Sequence, residues 1–289
     1  MSNNRTNQHY VPQSILKNFH IENNNKVWCL FKNNTPYFFQ PTVENICAEK
    51  EFYTFSLDMD DKNISQDLDY DECVFKNLDS DIAPIIQKVI HHRTIDMLSK
   101  EERKTIDKYV VYQYWRVPAV RNIAENLSGN DKNARQVQAI SLLLSDNFMN
   151  NVVNALEGLT LRVIESTEEV DFIISDCPVL WSPTAEGIYF PISPELCLYY
   201  SKLDTKPLDP ICLNQLQFLS SVKFNIARNK ETLEKILQGF HQNYLKSFST
   251  PCDTYWKCIL ATHKSDLCKN LFETQTYEKF KSLLPPDTI

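Results

Sequence analysis

The chain has 289 residues, 43% of them apolar, with 30 Lys and Arg against 37 Asp and Glu for a net charge of -7. Its pI near 5.4 excludes a protein that coats nucleic acid by a generally basic surface, because phosphate neutralisation needs one; a local basic cleft stays open. Only four glycines occur, at Gly129, Gly158, Gly187 and Gly239, so neither a phosphate-binding Gly-rich loop nor a dinucleotide fingerprint can be built. The nine cysteines are scattered, without a C-x-x-C pair or zinc-finger spacing, and read as reduced thiols. The opening MSNNRTNQHY has no apolar export core and no run reaches the length of a membrane span, which predicts a soluble, cytoplasmic protein with no membrane contact.

From His9 to Phe19 the run HYVPQSILKNF predicts an extended entry into Pro12 and then a short helix, since the residue before proline is pushed out of the helical region. Val27–Phe31 and Tyr37–Phe39 predict a hairpin around Asn33-Asn34-Thr35-Pro36, with a third extended piece over Glu51–Phe55. Leu68, Phe75, Ile82 and Val89 recur every seven residues, which predicts a long amphipathic helix over Gln66–His92. Ser99 and Glu102 form a capping box that opens a second helix, kinked or ended near Pro118. A third helix is predicted over Asp131–Glu157.

After Gly158 short apolar runs separated by turns predict strands at Leu161–Ile164, Phe172–Ile174, Ile188–Ile192 and Leu196–Tyr200. Helical spacing returns at Ile211–Ala227, at Glu231–Phe240 and in the tail Asp266–Leu284. Strands, helices and strands without βα alternation indicate an α+β fold, a mixed or antiparallel sheet packed with long amphipathic helices. No linker divides residues 1–289, so one domain is expected, with a helical extension from about residue 230.

Several segments together resemble one bacterial family, catalogued as domain of unknown function 4238. HYVPQSILKNF is similar to its opening signature. VWCLFKNN and Ala48–Thr54 continue the likeness, and so does Gln113-Tyr114-Trp115-Arg116-Val117-Pro118 with Arg121, where Val117 replaces the family's threonine. FIISDCPV (Phe172–Val179), FPISP (Phe190–Pro194) and Asn214–Arg228 complete it. The resemblance implies one domain over most of the chain and, by association, a role in bacterial conflict or phage defence.

The residues that could carry chemistry are one histidine, several acids and several basic groups. His9 in its extended segment suits a general base, a metal ligand or an anchor for the arm. Asp176, at the end of an apolar strand, could be a catalytic acid or metal ligand, or could cap the turn before Pro178. Gln113 and Arg116 are three apart on one helix face, and with Arg121 and Lys17 they could grip a phosphate, or pair with the acidic first helix. Glu72 belongs to a polar stripe with Asp69, Lys76 and Asp79; it would join His9 and Asp176 as a ligand for Mg²⁺ or Mn²⁺ if the three met, and otherwise faces solvent.

Three readings follow, the last a regulator that reads a small anionic ligand through Arg116 and Arg121. In the first the chain is a nuclease-like or toxin-type effector acting on a phosphodiester, with nucleic acid in a local cleft. In the second it is a non-catalytic binding or sensor module, partnered by a protein of a defence or regulatory complex.

Overall fold

The computed structural model describes residues 7–22, 24–33, 35–59, 64–69, 75–122, 146–182, 187–202 and 205–239. The arm enters as β1 (Asn7–His9) and turns at Pro12 into a single-turn α1 (Gln13–Leu16). Then come the hairpin strands β2 (Trp28–Phe31) and β3 (Tyr37–Phe39), β4 (Ala48–Lys50), β5 (Thr54–Met59) and β6 (Ile64–Asp69). Helices α2 (Lys76–His92), α3 (Lys100–Trp115) and α4 (Asp146–Glu157) follow. The second half holds β7 (Thr160–Glu165), β8 (Ile174–Ser175), β9 (Leu180–Ser182), β10 (Gly187–Pro191) and β11 (Leu196–Ser201). It ends with α5 (Pro210–Ser220), β12 (Phe224–Ala227) and α6 (Lys230–Gly239).

Among the described residues all strand pairs are antiparallel, in two four-stranded sheets of order β7-β11-β10-β9 and β3-β2-β12-β8 and two ribbons, β1-β4 and β5-β6. The fold is α+β, as the element pattern predicts. Its largest apolar cluster runs from Tyr10 and Ile15 through Phe75, Ile82, Tyr109 and Val110 to Phe190 and Ile226, so the arm, α2, α3 and both sheets share one core. Strands β2 and β12 are sequence-distant neighbours, and the second half thereby closes onto the first. Among the described residues no helix is long and apolar enough to cross a membrane. Of the described cysteines, Cys29, Cys47, Cys177 and Cys197 are buried and free, and Cys212 is exposed and free.

The Ser99 capping box is formed: the Glu102 amide donates to Ser99 Oγ at 3.1 Å and the Ser99 amide to Glu102 Oε2 at 2.7 Å. Three boundaries differ from the sequence expectation. The first long helix starts at Lys76, and Ile64–Asp69 is instead a strand in register with β5. Ile64–Asp69 pairs residue for residue with Thr54–Met59, so non-local strand pairing overrides the heptad match at Leu68. Glu51–Phe55 is not one strand, because Glu51 adopts a left-handed φ of 54° and divides β4 from β5. Ile211–Ala227 is not one helix: Ser221 turns extended and Phe224–Ala227 becomes a strand. The expected segments 131–145 and 240–289 lie outside the described residues.

Gly187 shows how tightly the second sheet closes. It pairs with Ser201, and a Cβ there would collide with the Tyr199 ring and stand 3.1 Å from the Tyr200 carbonyl. The Tyr199 ring is itself stacked on Tyr189 at 4.7 Å, which resists its displacement. Gly187→Ala should therefore cost about 1–3 kcal/mol by overpacking. Urea denaturation measures this; an unchanged midpoint would contradict the packing described.

Candidate functional site

The signature residues gather where the arm crosses α3. Pairing of β1 with β4 fixes the arm, and the Tyr10 amide extends the pairing by donating to the Cys47 carbonyl at 3.0 Å. His9 is half-buried, its Nε2 3.3 Å from the Val43 carbonyl. Burial lowers its pKa below 6.5, against smaller raising effects from the Val43 and Glu44 backbone and the Asp79 and Glu44 charges. The Tyr53 hydroxyl is shared between the carbonyls of His9 and Arg116, 3.3 Å from each.

Arg116 ends α3 and is completely buried. Its Nη1 and Nη2 donate to the two oxygens of Asp79 on α2 at 3.1 and 2.6 Å, and its Nε donates to Gln113 Oε1 at 2.8 Å. The guanidinium also lies 4.9 Å from the Phe75 ring centre and 5.4 Å from that of Tyr109. Burial works against its charge, yet Asp79, Tyr109 and Tyr53 outweigh it and raise the pKa. Gln113 is equally occupied: its Oε1 also accepts from the Tyr109 hydroxyl at 3.1 Å, and its Nε2 donates to the Tyr10 carbonyl at 2.8 Å. Gln113 thus ties α3 to the arm directly.

Arg121 lies beyond Pro118 and does not join that cluster. Its Nη2 donates to the Phe52 carbonyl, its guanidinium stacks on the Phe52 ring and its Nη1 is 3.5 Å from Glu49. Lys17 is exposed, and its carbonyl receives the His20 ring.

Asp176 is fully buried at the junction of α5 and β12. Its Oδ1 accepts from the Val222 amide at 2.9 Å, and its Oδ2 accepts from Lys223 and Phe224 at 2.6 and 3.1 Å. Burial raises its pKa, opposed by these amides and by Lys32. Lys32 completes the junction by donating to the carbonyls of Phe218, Leu219 and Ser221 at 2.7–2.9 Å, where α5 ends. Burial pulls the lysine down to about 8, against the attraction of Asp176. Carboxylate and ammonium therefore take up the free amides and carbonyls where a helix becomes a strand.

The structure thus brings His9, Gln113 and Arg116 together around the arm, and ties Arg121 and Asp176 into other junctions. Glu72 lies outside the described residues. Among the described residues no group of three or more His, Cys, Asp and Glu is arranged to hold a metal ion, and Asp176 already has three amide donors on its two oxygens. Sequence reasoning named Arg116 but set its partner Asp79 among solvated charges. Asp79 falls one heptad after Glu72, and its spacing carries no sign that it will meet Arg116. Lys32 had no signal, because its acceptors are 186–189 residues away.

Asp176→Ala should lose about 3 kcal/mol or more, since several buried amides lose their acceptor at about 1–3 kcal/mol each. Asp176→Asn, which keeps one acceptor oxygen, should lose less; equal midpoints for both in denaturation would contradict the junction. His9 supplies a pH signature. Its folded pKa is depressed, so as pH falls below 6.5 the unfolded chain takes up the proton first and the fold loses stability. His9→Gln should flatten that acid limb in melting temperatures measured between neutral pH and pH 5, and an unchanged slope would show that the ring is not desolvated.

Searches of the curated proteins and of the solved structures returned no match. The family described as "Protein of unknown function (DUF4238)" matches residues 7–223, from β1 to the Asp176-bound turn before β12. That span covers three quarters of the 289 residues and includes every signature segment up to that turn, so the chain belongs to the DUF4238 family.

Proposed function

We propose that the chain is a non-catalytic binding module, a sensor or assembly component of a bacterial defence or regulatory complex. One observation carries this reading. Gln113, Arg116, Arg121 and Asp176 are each no more than 5% exposed, and each bonds to the protein itself. Groups that grip a phosphate need donors directed at a ligand, whereas Gln113 and Arg116 donate to the arm and α2, Arg121 donates to the Phe52 carbonyl, and Asp176 accepts from the α5–β12 turn. The defence setting comes only from the family resemblance.

The effector reading has one observation in its favour. His9 is partly open, and its depressed pKa keeps the ring neutral at pH 7, the form a general base requires. Asp79 is 23% exposed at its side chain and close enough to act on the His9 ring electrostatically. In that reading His9 would take a proton from a water that attacks the phosphorus, expelling the leaving oxygen of the phosphodiester, with Mg²⁺ or Mn²⁺ as the ion supplying charge stabilisation.

Expression of the wild type, His9→Gln, Arg116→Lys and Asp176→Asn separates the two. The binding-module reading expects no loss of nucleic-acid integrity or growth with the wild type, and lowered melting temperatures for Arg116→Lys and Asp176→Asn. Nucleic-acid cleavage by the wild type that vanishes in a stably folded His9→Gln would replace it with the effector reading.

A further inference from the structure

Strand β3 is the outer strand of the sheet β3-β2-β12-β8, and among the described residues nothing pairs with its far side. The Val27 amide donates to the Pro41 carbonyl at 3.1 Å and the Val43 amide to that of Asn25 at 3.2 Å, in line with the register that sets Phe31 opposite Tyr37 and Cys29 opposite Phe39. Alternation along an antiparallel pair then turns the backbone groups of Tyr37 and Phe39 toward β2. The amides of Phe38 and Gln40 and the carbonyls of Pro36, Phe38 and Gln40 point away from it. An uncovered run of such groups is a template for another strand.

One face of this edge is a row of rings. Phe31 stacks on Tyr37 at 5.2 Å, Tyr37 lies 5.7 Å from Phe39, and Phe224 adjoins Phe31 and Phe39 at 5.6 and 6.4 Å. Tyr37 is 49% exposed, and among the described residues only Ile211 is a more exposed large apolar side chain. The other face is covered, since Phe38 packs with Leu233 and Ile236 of α6 and Lys230 Nζ lies 4.9 Å from its ring centre. Residues 35–41 carry no charged side chain, so two copies of a chain with a net charge of -7 can meet along β3 without opposing like charges there.

We propose that β3 joins β3 of a second copy of this chain, antiparallel and edge to edge, about a two-fold axis at Phe38. In that register each Phe38 amide donates to the other copy's Phe38 carbonyl, and each Gln40 amide donates to the other copy's Pro36 carbonyl. Every outward amide then has an acceptor, and Pro36, which has no N–H, need only accept. On the aromatic face Tyr37 of each copy comes opposite Phe39 of the other, a cross-strand ring pair made twice. Rings of this kind bury about 150–250 Å² each, so the four that meet fall short of the roughly 1,200 Å² of a lasting complex, and the dimer is a weak, reversible one. Gln113, Arg116, Arg121 and Asp176 take no part in β3, so failure here and failure of the binding-module reading are observed separately.

The test follows the full chain by sedimentation equilibrium from about 10 μM to about 1 mM, where a concentration-dependent dimer is expected. Gln40→Pro removes an amide that points away from β2, and Tyr37→Lys puts a charge into the row of rings. Each change acts twice across the axis and should weaken the dimer by about tenfold or more, with the melting temperature of the monomer kept. Gln40→Ala retains the amide and should retain the dimer. A photoreactive benzoylphenylalanine in place of Tyr37 gives a readout that needs neither variant: its cross-links should join residues 35–41 of a second copy. A monomer throughout the range, a dimer indifferent to folded Gln40→Pro and Tyr37→Lys, or cross-links that stay within one chain would each overturn the proposal.

Discussion

A charged guanidinium with no exposure to water is the constraint on which the first half of this fold depends. An unpaired buried cation would be prohibitively unfavourable, so Arg116 requires a carboxylate that can be held still, and Asp79 supplies it from α2. Meeting that need sets the approach of α2 to α3. The Gln113 oxygen that completes the arginine's bonding leaves the amide nitrogen free to hold the Tyr10 carbonyl. One buried charge therefore joins two helices and the arm, and Phe75 and Tyr109 close around it.

The second half uses the same device with the signs exchanged. Asp176 gathers the amides of 222–224, and Lys32 gathers the carbonyls at the end of α5. This explains why the helical spacing of Ile211–Ala227 does not persist as a helix: the carboxylate rewards an extended backbone with bonds that a continued helix would not make. Lys32 follows β2 and Asp176 follows β8, and both strands pair with β12. The two buried charges thus pin the sheet in which β2 and β8 flank β12.

Much of the architecture was legible because it is local. The Pro12 turn, the hairpin, the Ser99 capping box and the short apolar strands after Gly158 announce themselves within a few residues. What stayed hidden is non-local. Nothing near Arg116 says that Asp79 will face it, and nothing near Lys32 points to carbonyls beyond residue 217. The same limit applies to Asp107, whose i, i+4 spacing from Arg103 carries no sign of the Tyr200 hydroxyl that meets it 93 residues later. The signature residues stood out in the sequence, while the fold assigns their bonds to the interior.

The account's central claim is that the signature arginine is a frame element whose value lies in its pairing with Asp79. A double-mutant cycle on Arg116→Met and Asp79→Leu, followed by chemical denaturation, tests it most directly. Either single change should cost about 3 kcal/mol or more by stranding a charge, and the double variant should recover a large part of that loss. Additive losses without coupling, or an Arg116→Met chain as stable as the wild type, would contradict the claim.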